Sequence, residues 1–478
     1  MVISAADYIE RIRGMKQNVY MGGSLVNRDH AGIMPGIRVV SLTYDLVNDP
    51  LYRQTLTATS HLNSGTINRF THIHQNSQDL LDKQQMTRLL NRKSGFCIQR
   101  CMGVDAMNAL SVVTKEIDDA RGTDYHRRFL DYLKYWQEKD IMGSCAQTDP
   151  KGDRSKRPHQ QANPDAYLHV VAKKADGIVV RGAKIDITTA PFAEEIIAIP
   201  TRAMTAEESD WAVAFGIPAD TDGVYIVNRA SSPRERKHLP APFAEYGSSD
   251  GFIIFNDVFV PWERVFMCGE PEFAGRLALL FALYHRHSYT GCKPAVTDVI
   301  MGLTALVAEF NGVGKAPHIR EKLAHLAGVA ELVYAAGIAG AVKSTKASSG
   351  TCIPDPIYCN VGRRHAGENI YHEHEILTEV AGGLPATLPY EDDFFNENTA
   401  SLLHHYLTRK EGISAEDQHR LFRCISDYNC SSFGGVWQYA GIHGGGSPIM
   451  ETIAIMSNYD FELRKKIAGE LAGIKMSV

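Results

Sequence analysis

His285-Arg286-His287-Ser288-Tyr289-Thr290-Gly291-Cys292-Lys293 decides how the rest of the chain is read. On a helix of about 3.6 residues per turn, His285, Tyr289 and Cys292 stand at i, i+4 and i+7 and project from one face: a base, a phenol and a thiol. Far upstream, Cys97 and Cys101 have a one-turn helical spacing, in Phe96-Cys97-Ile98-Gln99-Arg100-Cys101. If the fold brings the two helices together, three thiolates and one imidazole converge, enough donors for a metal centre. Spacing alone leaves a bland alternative open. Two cysteines one turn apart on an amphipathic helix are commonly buried small hydrophobes, and no C-x2-C zinc knuckle is present.

The 478 residues exceed one ordinary core and imply two or three domains in continuous contact. Hydrophobic residues at 44% and charged residues at 22% are those of an ordinary globular protein. With a net charge of −5 and only a short basic cluster at Arg234 to His238, nucleic acid is not an expected partner. Met1 to Glu10 lacks a basic region followed by an apolar one, and no uninterrupted apolar stretch approaches the roughly 18 residues of a spanning helix. A cytoplasmic protein is therefore expected, with its nine cysteines reduced and available for metal or redox work.

Apolar residues at spacings of three and four run from Asp105 to Lys139 with a break at Gly122, which predicts two helices and a helical domain over residues 1–144. Short β-branched or aromatic runs follow, at Tyr167 to Val171, Gly177 to Arg181, Glu195 to Pro200, Gly223 to Val227 and Phe252 to Val260, and mark a β domain over 145–270. From 271 to 478 the helical period returns, including Glu272 to Tyr289 and Lys293 to Asn311 as separate helices, and predicts a bundle. The polar turn Thr148-Asp149-Pro150-Lys151-Gly152-Asp153-Arg154 is either a simple turn or a loop that wraps a phosphate. Glycines at Gly382-Gly383 and Gly444-Gly445-Gly446 permit close backbone approach to a ligand or a tight cap, and neither run is a G-x-G-x-x-G after a strand.

These segments, in this order, resemble the 4-hydroxyphenylacetate 3-hydroxylase superfamily and, within it, the 4-hydroxybutyryl-CoA dehydratase/vinylacetyl-CoA isomerase branch. The resemblance rests on Cys97-x3-Cys101-Met-Gly-Val-Asp-Ala, the Thr148 to Arg154 turn, Ile178 to Lys184, Phe255 to Pro261, Tyr284 to Lys293, Ala381 to Gly383 and His443 to Pro448. It implies an α+β, acyl-CoA-dehydrogenase-like fold with a central β-barrel between helical domains, assembled as a homotetramer. It also implies FAD, and a 4Fe-4S cluster held by Cys97, Cys101, His285 and Cys292. The flavin would lie against Thr148, Asp149, Lys151, Asp153, Arg154, Thr188, Thr189, Gly382 and Gly383. The reaction implied is radical dehydration of a 4-hydroxyacyl-CoA thioester, with His285 as base, Tyr289 as proton donor, Lys293 orienting substrate and Asp250 standing where the branch carries a glutamate. A second glutamate of the branch, expected just before the His443 loop, has no counterpart in Gln438 to Ile442. Two alternatives remain at this level: a flavin-dependent aromatic hydroxylase, and a non-catalytic helical assembly protein with cysteines as core filler.

Overall fold

A computed structural model describes residues 2–474. Three long helices dominate the N-terminal part: α1 Ser77–Ser94, α2 Cys101–Arg121 and α3 Tyr125–Lys139. The Asn76 side chain caps the start of α1 by accepting from the Asp79 amide, and glycines in the left-handed conformation, Gly95 and Gly122, end α1 and α2. The break expected at Gly122 is thus a helix terminus. The C-terminal part is built on α4 Pro271–Phe310, α5 Pro317–Val342 and α6 Pro356–Ala381, each opening on a proline whose missing N–H costs nothing at that position. Three further helices, α7 Ala415–Asn429, α8 Ser432–His443 and α9 Pro448–Asn458, lie along the bundle.

Between the helical parts, the described residues form two sheets, and a closed barrel is not detected among them. The larger has the strand order Ser24–Val26, Val19–Met21, Val224–Ser231, Ser248–Pro261, Gly177–Thr188, His169–Lys173, and the smaller Val265–Cys268, Val213–Pro218, Glu195–Ala198, Gly143–Ala146. Neither order returns on itself, so each sheet keeps two edges. The long strand Ser248–Pro261 alternates buried and exposed residues along much of its length and slips register twice against Gly177–Thr188, bending the sheet over the core. Two of its strands, Val19–Met21 and Ser24–Val26, come from the N-terminal part.

α4 is one helix of 40 residues where two were expected, and it runs through Gly291 and Pro294. Proline cannot donate to the Thr290 carbonyl four residues back, and that carbonyl instead accepts from Gln84 Nε2 of α1 at 3.2 Å. The α1 side chain repairs the gap and the helix continues. α4 and α5 are long and apolar enough to span a membrane by length and composition, but here α4 is the central helix of the bundle, packed on α1, α2, α5 and α6. The approach is close at Gly291, where a Cβ would stand on the Thr87 hydroxyl and the Gln84 carbonyl. Gly291→Ala is expected to destabilise by about 1–3 kcal/mol through overpacking, whereas Gly302→Ala on the same helix, with open space around it, is neutral or slightly stabilising. Thermal denaturation of the two variants checks this; equal melting temperatures would refute the packing account.

Candidate functional site

Residues Leu283 to Ala295 of α4 are all buried, so polar side chains in this stretch must find partners inside the protein. Their hub is Asp105 of α2, whose side chain is fully buried. Its Oδ1 accepts from Lys83 Nζ of α1 at 3.0 Å and from Ser288 Oγ at 3.0 Å. Its Oδ2 lies 2.9 Å from the same hydroxyl and 3.1 Å from His285 Nδ1. Burial pushes the Asp105 carboxyl up, yet the Lys83 ammonium and His285 outweigh it and hold the group below its ordinary value.

The three cysteines gather around this hub. Cys97, Cys101 and Cys292 are within electrostatic reach of one another, and the Cys292 thiol donates to the Tyr289 carbonyl at 3.7 Å. The proximity of the two thiols Cys97 and Cys292 splits them: Cys97 is held below its ordinary value by Cys292, while Cys97 and burial push Cys292 well up. Burial also pushes Cys101 well up. Cys97 is not on a helix, contrary to expectation, because α2 begins at Cys101. Gln99 sits between the two cysteines in the left-handed region at φ 66°, and the Asn91 side chain takes the Ile98 amide at 2.7 Å, so the backbone turns before it coils. Gln99 also donates to the Gly247 carbonyl at 3.0 Å and so ties the cysteine loop to the strand that carries Asp250.

Asp250 pairs in register with Thr188, whose hydroxyl donates to it at 2.8 Å, and burial raises its carboxyl. Its charge is felt at Cys97. Thr189 turns the chain out of the strand in the left-handed region at φ 69°, its amide bonded to the Ser249 carbonyl at 2.9 Å. The buried hydroxyls of Ser248 and Ser249 have no hydrogen-bond partner among the described residues, and Ser248 shares the strand face of Asp250 and Thr188. In the Thr148 to Arg154 turn, Asp149 is committed internally, 2.6 Å from both Lys184 Nζ and Thr201 Oγ1. Lys151, Asp153 and Arg154 are exposed. Gly382 and Gly383 close α6 about 13 Å beyond Glu373 at 1.5 Å per residue, away from the cysteine cluster.

The far side of α4 is covered by the C-terminal chain. Tyr289 donates to the Gly441 carbonyl at 2.6 Å, so its proton is engaged there, and burial pushes the phenol up. Arg363 of α6 stacks over the Tyr289 ring at 4.3 Å and faces Glu451 at 3.5 Å. Arg286 donates to the Gly445 carbonyl at 3.0 Å and to Asn360 at 2.6 Å. Lys293 forms a buried ion pair with Glu373, and Thr297 bonds to both. Lys83, Ser288, Arg286, Arg363, Glu373 and Glu451 were not singled out by the sequence reading. Asp105 lay inside a quoted motif without a role. Glu451 places a buried carboxylate after the glycine loop, although none precedes it.

Among the described residues, no group of three or more His, Cys, Asp or Glu has the geometry to hold a single metal ion. A cubane cluster asks for something else, one ligand on each of four irons. Three thiols in mutual reach, and an imidazole whose Nε2 makes no hydrogen bond to the protein among those residues, fit that donor set.

Family comparison agrees with this architecture. The N-terminal and C-terminal signatures of 4-hydroxyphenylacetate 3-hydroxylase match residues 4–267 and 274–473, and the chain belongs to that family. Within it, the chain is 37% identical, over 99% of its own length and 100% of the relative's, to a 4-hydroxybutyryl-CoA dehydratase/vinylacetyl-CoA-Delta-isomerase of Clostridium aminobutyricum, which bears out the resemblance to that branch. A solved oxygen-tolerant archaeal 4-hydroxybutyryl-CoA dehydratase from N. maritimus superposes with a TM-score of 0.95 at 36% identity, covering 100% of this chain and 96% of that one. The oxygenase component of 4-hydroxyphenylacetate 3-monooxygenase, complexed with FAD, superposes with 0.88 at 25% identity, covering 98% of each. Glutaryl-coenzyme A dehydrogenase, at a TM-score of 0.51 and 12% identity over 93% of this chain and 96% of its own, shares the fold alone.

Proposed function

We propose that this chain is a dehydratase of 4-hydroxybutyryl-CoA or a closely similar 4-hydroxyacyl thioester, with Δ-isomerase activity, working through FAD and a 4Fe-4S cluster by a radical route. The observation that carries the reading is that Cys97, Cys101 and Cys292 gather within reach of one another, that Asp105, bonded to His285, acts on Cys97 and Cys101, and that Asp250, bonded by Thr188, acts on Cys97. Cys97, Cys101, Cys292 and His285 Nε2 would hold the cluster, and the strand face of Thr188 and Ser248, with the turn at Thr189, would take the flavin edge. When bound, the flavin supplies a one-electron acceptor and the cluster a Lewis-acidic iron.

The chain's own residues supply the rest. The thioester acidifies the C2–H of the substrate, and His285 would take this proton at Nε2 when that lone pair is not bonded to iron. Thr188 holds Asp250 at the same site, where its raised carboxyl can keep a proton to return. The Tyr289 hydroxyl shifts from the Gly441 carbonyl to the leaving oxygen or the thioester, and Lys293, pinned by Glu373, fixes the local charge. The exposed apolar residues Leu332 and Val342 on α5, and Tyr225, Val227, Phe252 and Ile254 on the outer face of the larger sheet, support self-association, which the proposal takes to be a homotetramer. A cytoplasmic setting agrees with nine free cysteines.

The test is anaerobic purification. The protein is expected to carry FAD and about four irons per chain, and to convert 4-hydroxybutyryl-CoA to crotonyl-CoA. Cys101→Ala is expected to lose the iron and melt at a lower temperature, because metal binding contributes to folding free energy. Iron-free protein with full dehydratase activity would overturn the cluster. Aromatic hydroxylation without dehydration would move the chain to the oxygenase side of its family.

A further inference from the structure

His285 is surrounded by more machinery than a ligand or base requires by itself. Its Nδ1 lies 3.1 Å from Asp105 Oδ2, and that carboxylate is clamped by Lys83 Nζ at 3.0 Å and by the Ser288 hydroxyl against both oxygens. Lys83 is itself fixed from α4, since its ammonium also donates to the Tyr284 carbonyl at 3.2 Å. The ring of His285 stacks on Phe281 at 5.9 Å and 4°, which limits its rotation. Asp105, Lys83 and Ser288 are all buried, so none of these contacts competes with bulk water.

We propose that Asp105, oriented by Lys83 and Ser288, is the positioning residue that commits His285 to the tautomer with its proton on Nδ1 and its Nε2 lone pair open. A carboxylate has no proton to offer Nδ1, so the ring must donate there, and the lone pair is left at Nε2. This goes beyond the ligand set by naming what aims it, and it rests on the reading of His285 as ligand and base. The carboxylate does not touch the substrate; it acts through the imidazole.

The variant to make is Asp105→Asn, whose amide can donate to Nδ1 and drive the proton to Nε2. In anaerobically purified holoenzyme we expect iron release to a chelator about 10–100-fold faster and C2 deuterium exchange about 10–100-fold slower, with KM for the acyl-CoA little changed. Asp105→Glu is expected to recover part of both. A second readout does not need the cofactors. With histidine labelled by nitrogen-15 in the iron-free protein, the parent is expected to show His285 protonated at Nδ1 and Asp105→Asn to show it at Nε2. Parental nitrogen shifts and parental iron release in Asp105→Asn overturn the proposal. If that variant does not accumulate, the parent alone decides, because a proton found on Nε2 there overturns it too. A parent that never binds iron defeats the proposed function, while the nitrogen signature still judges Asp105.

Discussion

His285→Cys is expected to keep its iron and lose turnover. A thiolate is the commoner cluster ligand, so the substituted side chain can still bind, but the imidazole proposed to take the C2 proton is gone. General base catalysis typically contributes about 10²–10⁴-fold, and C2 deuterium exchange of a 4-hydroxyacyl-CoA should fall by that much. Iron content and exchange are measured on the same anaerobic preparation. A variant that holds iron and exchanges the proton at the parental rate would assign the base elsewhere, with Asp250 the next candidate, since Thr188 holds its carboxyl in the same site.

The second large effect lies in the buried pair of Lys293 and Glu373. Both side chains are nearly or fully excluded from solvent, with Thr297 bonding to each. Lys293→Met leaves the Glu373 carboxylate without its counter-charge, and breaking a buried pair this way costs about 3–5 kcal/mol. Lys293→Met combined with Glu373→Leu should recover most of that loss, because the pair is replaced by apolar packing. Denaturation curves for the single and double variants give the comparison. A double variant as stable as the parent but inactive would show that Lys293 also acts on the substrate; a single variant of parental stability would refute the structural role.

Much of this was legible from the chain, and what was not has identifiable causes. The His285 to Lys293 face and the two upstream cysteines could be read because helical spacing places residues on one side without knowledge of the fold. The continuity of α4 could not, since Gly291 and Pro294 look like a break until Gln84 is seen to occupy the freed carbonyl of Thr290. Cys97 has helical spacing from Cys101 but lies on a turn, because the positive φ of Gln99 and the cap from Asn91 are decided by neighbours, not by periodicity. Three of the strands, Gly143–Ala146, Val213–Pro218 and Val265–Cys268, escaped the reading because they are short and almost wholly buried, with no alternation to mark them. Asp105 and Lys83 are 22 positions apart and meet His285 from two other helices, a contact with no local sequence signature. The Thr148 to Arg154 turn was legible as a motif, whereas the ion pair of Asp149 with Lys184 joins residues 35 positions apart and left no local signature.

The tie between the cysteine loop and α4 also sets a timetable for biosynthesis. Cys101 and His285 are separated by some 180 residues, and the Gly441 to Gly445 stretch that closes over α4 follows about 150 residues later. At about 5–20 residues per second a ribosome exposes the first two cysteines roughly 10–40 s before the imidazole, and the covering loop later still. During that interval two thiols wait on a nascent chain that has no means of enclosing a cluster. A cluster held by Cys97, Cys101, Cys292 and His285, as proposed, would therefore assemble only after α4 and its covering loop have emerged, with Cys97 and Cys101 kept reduced until then.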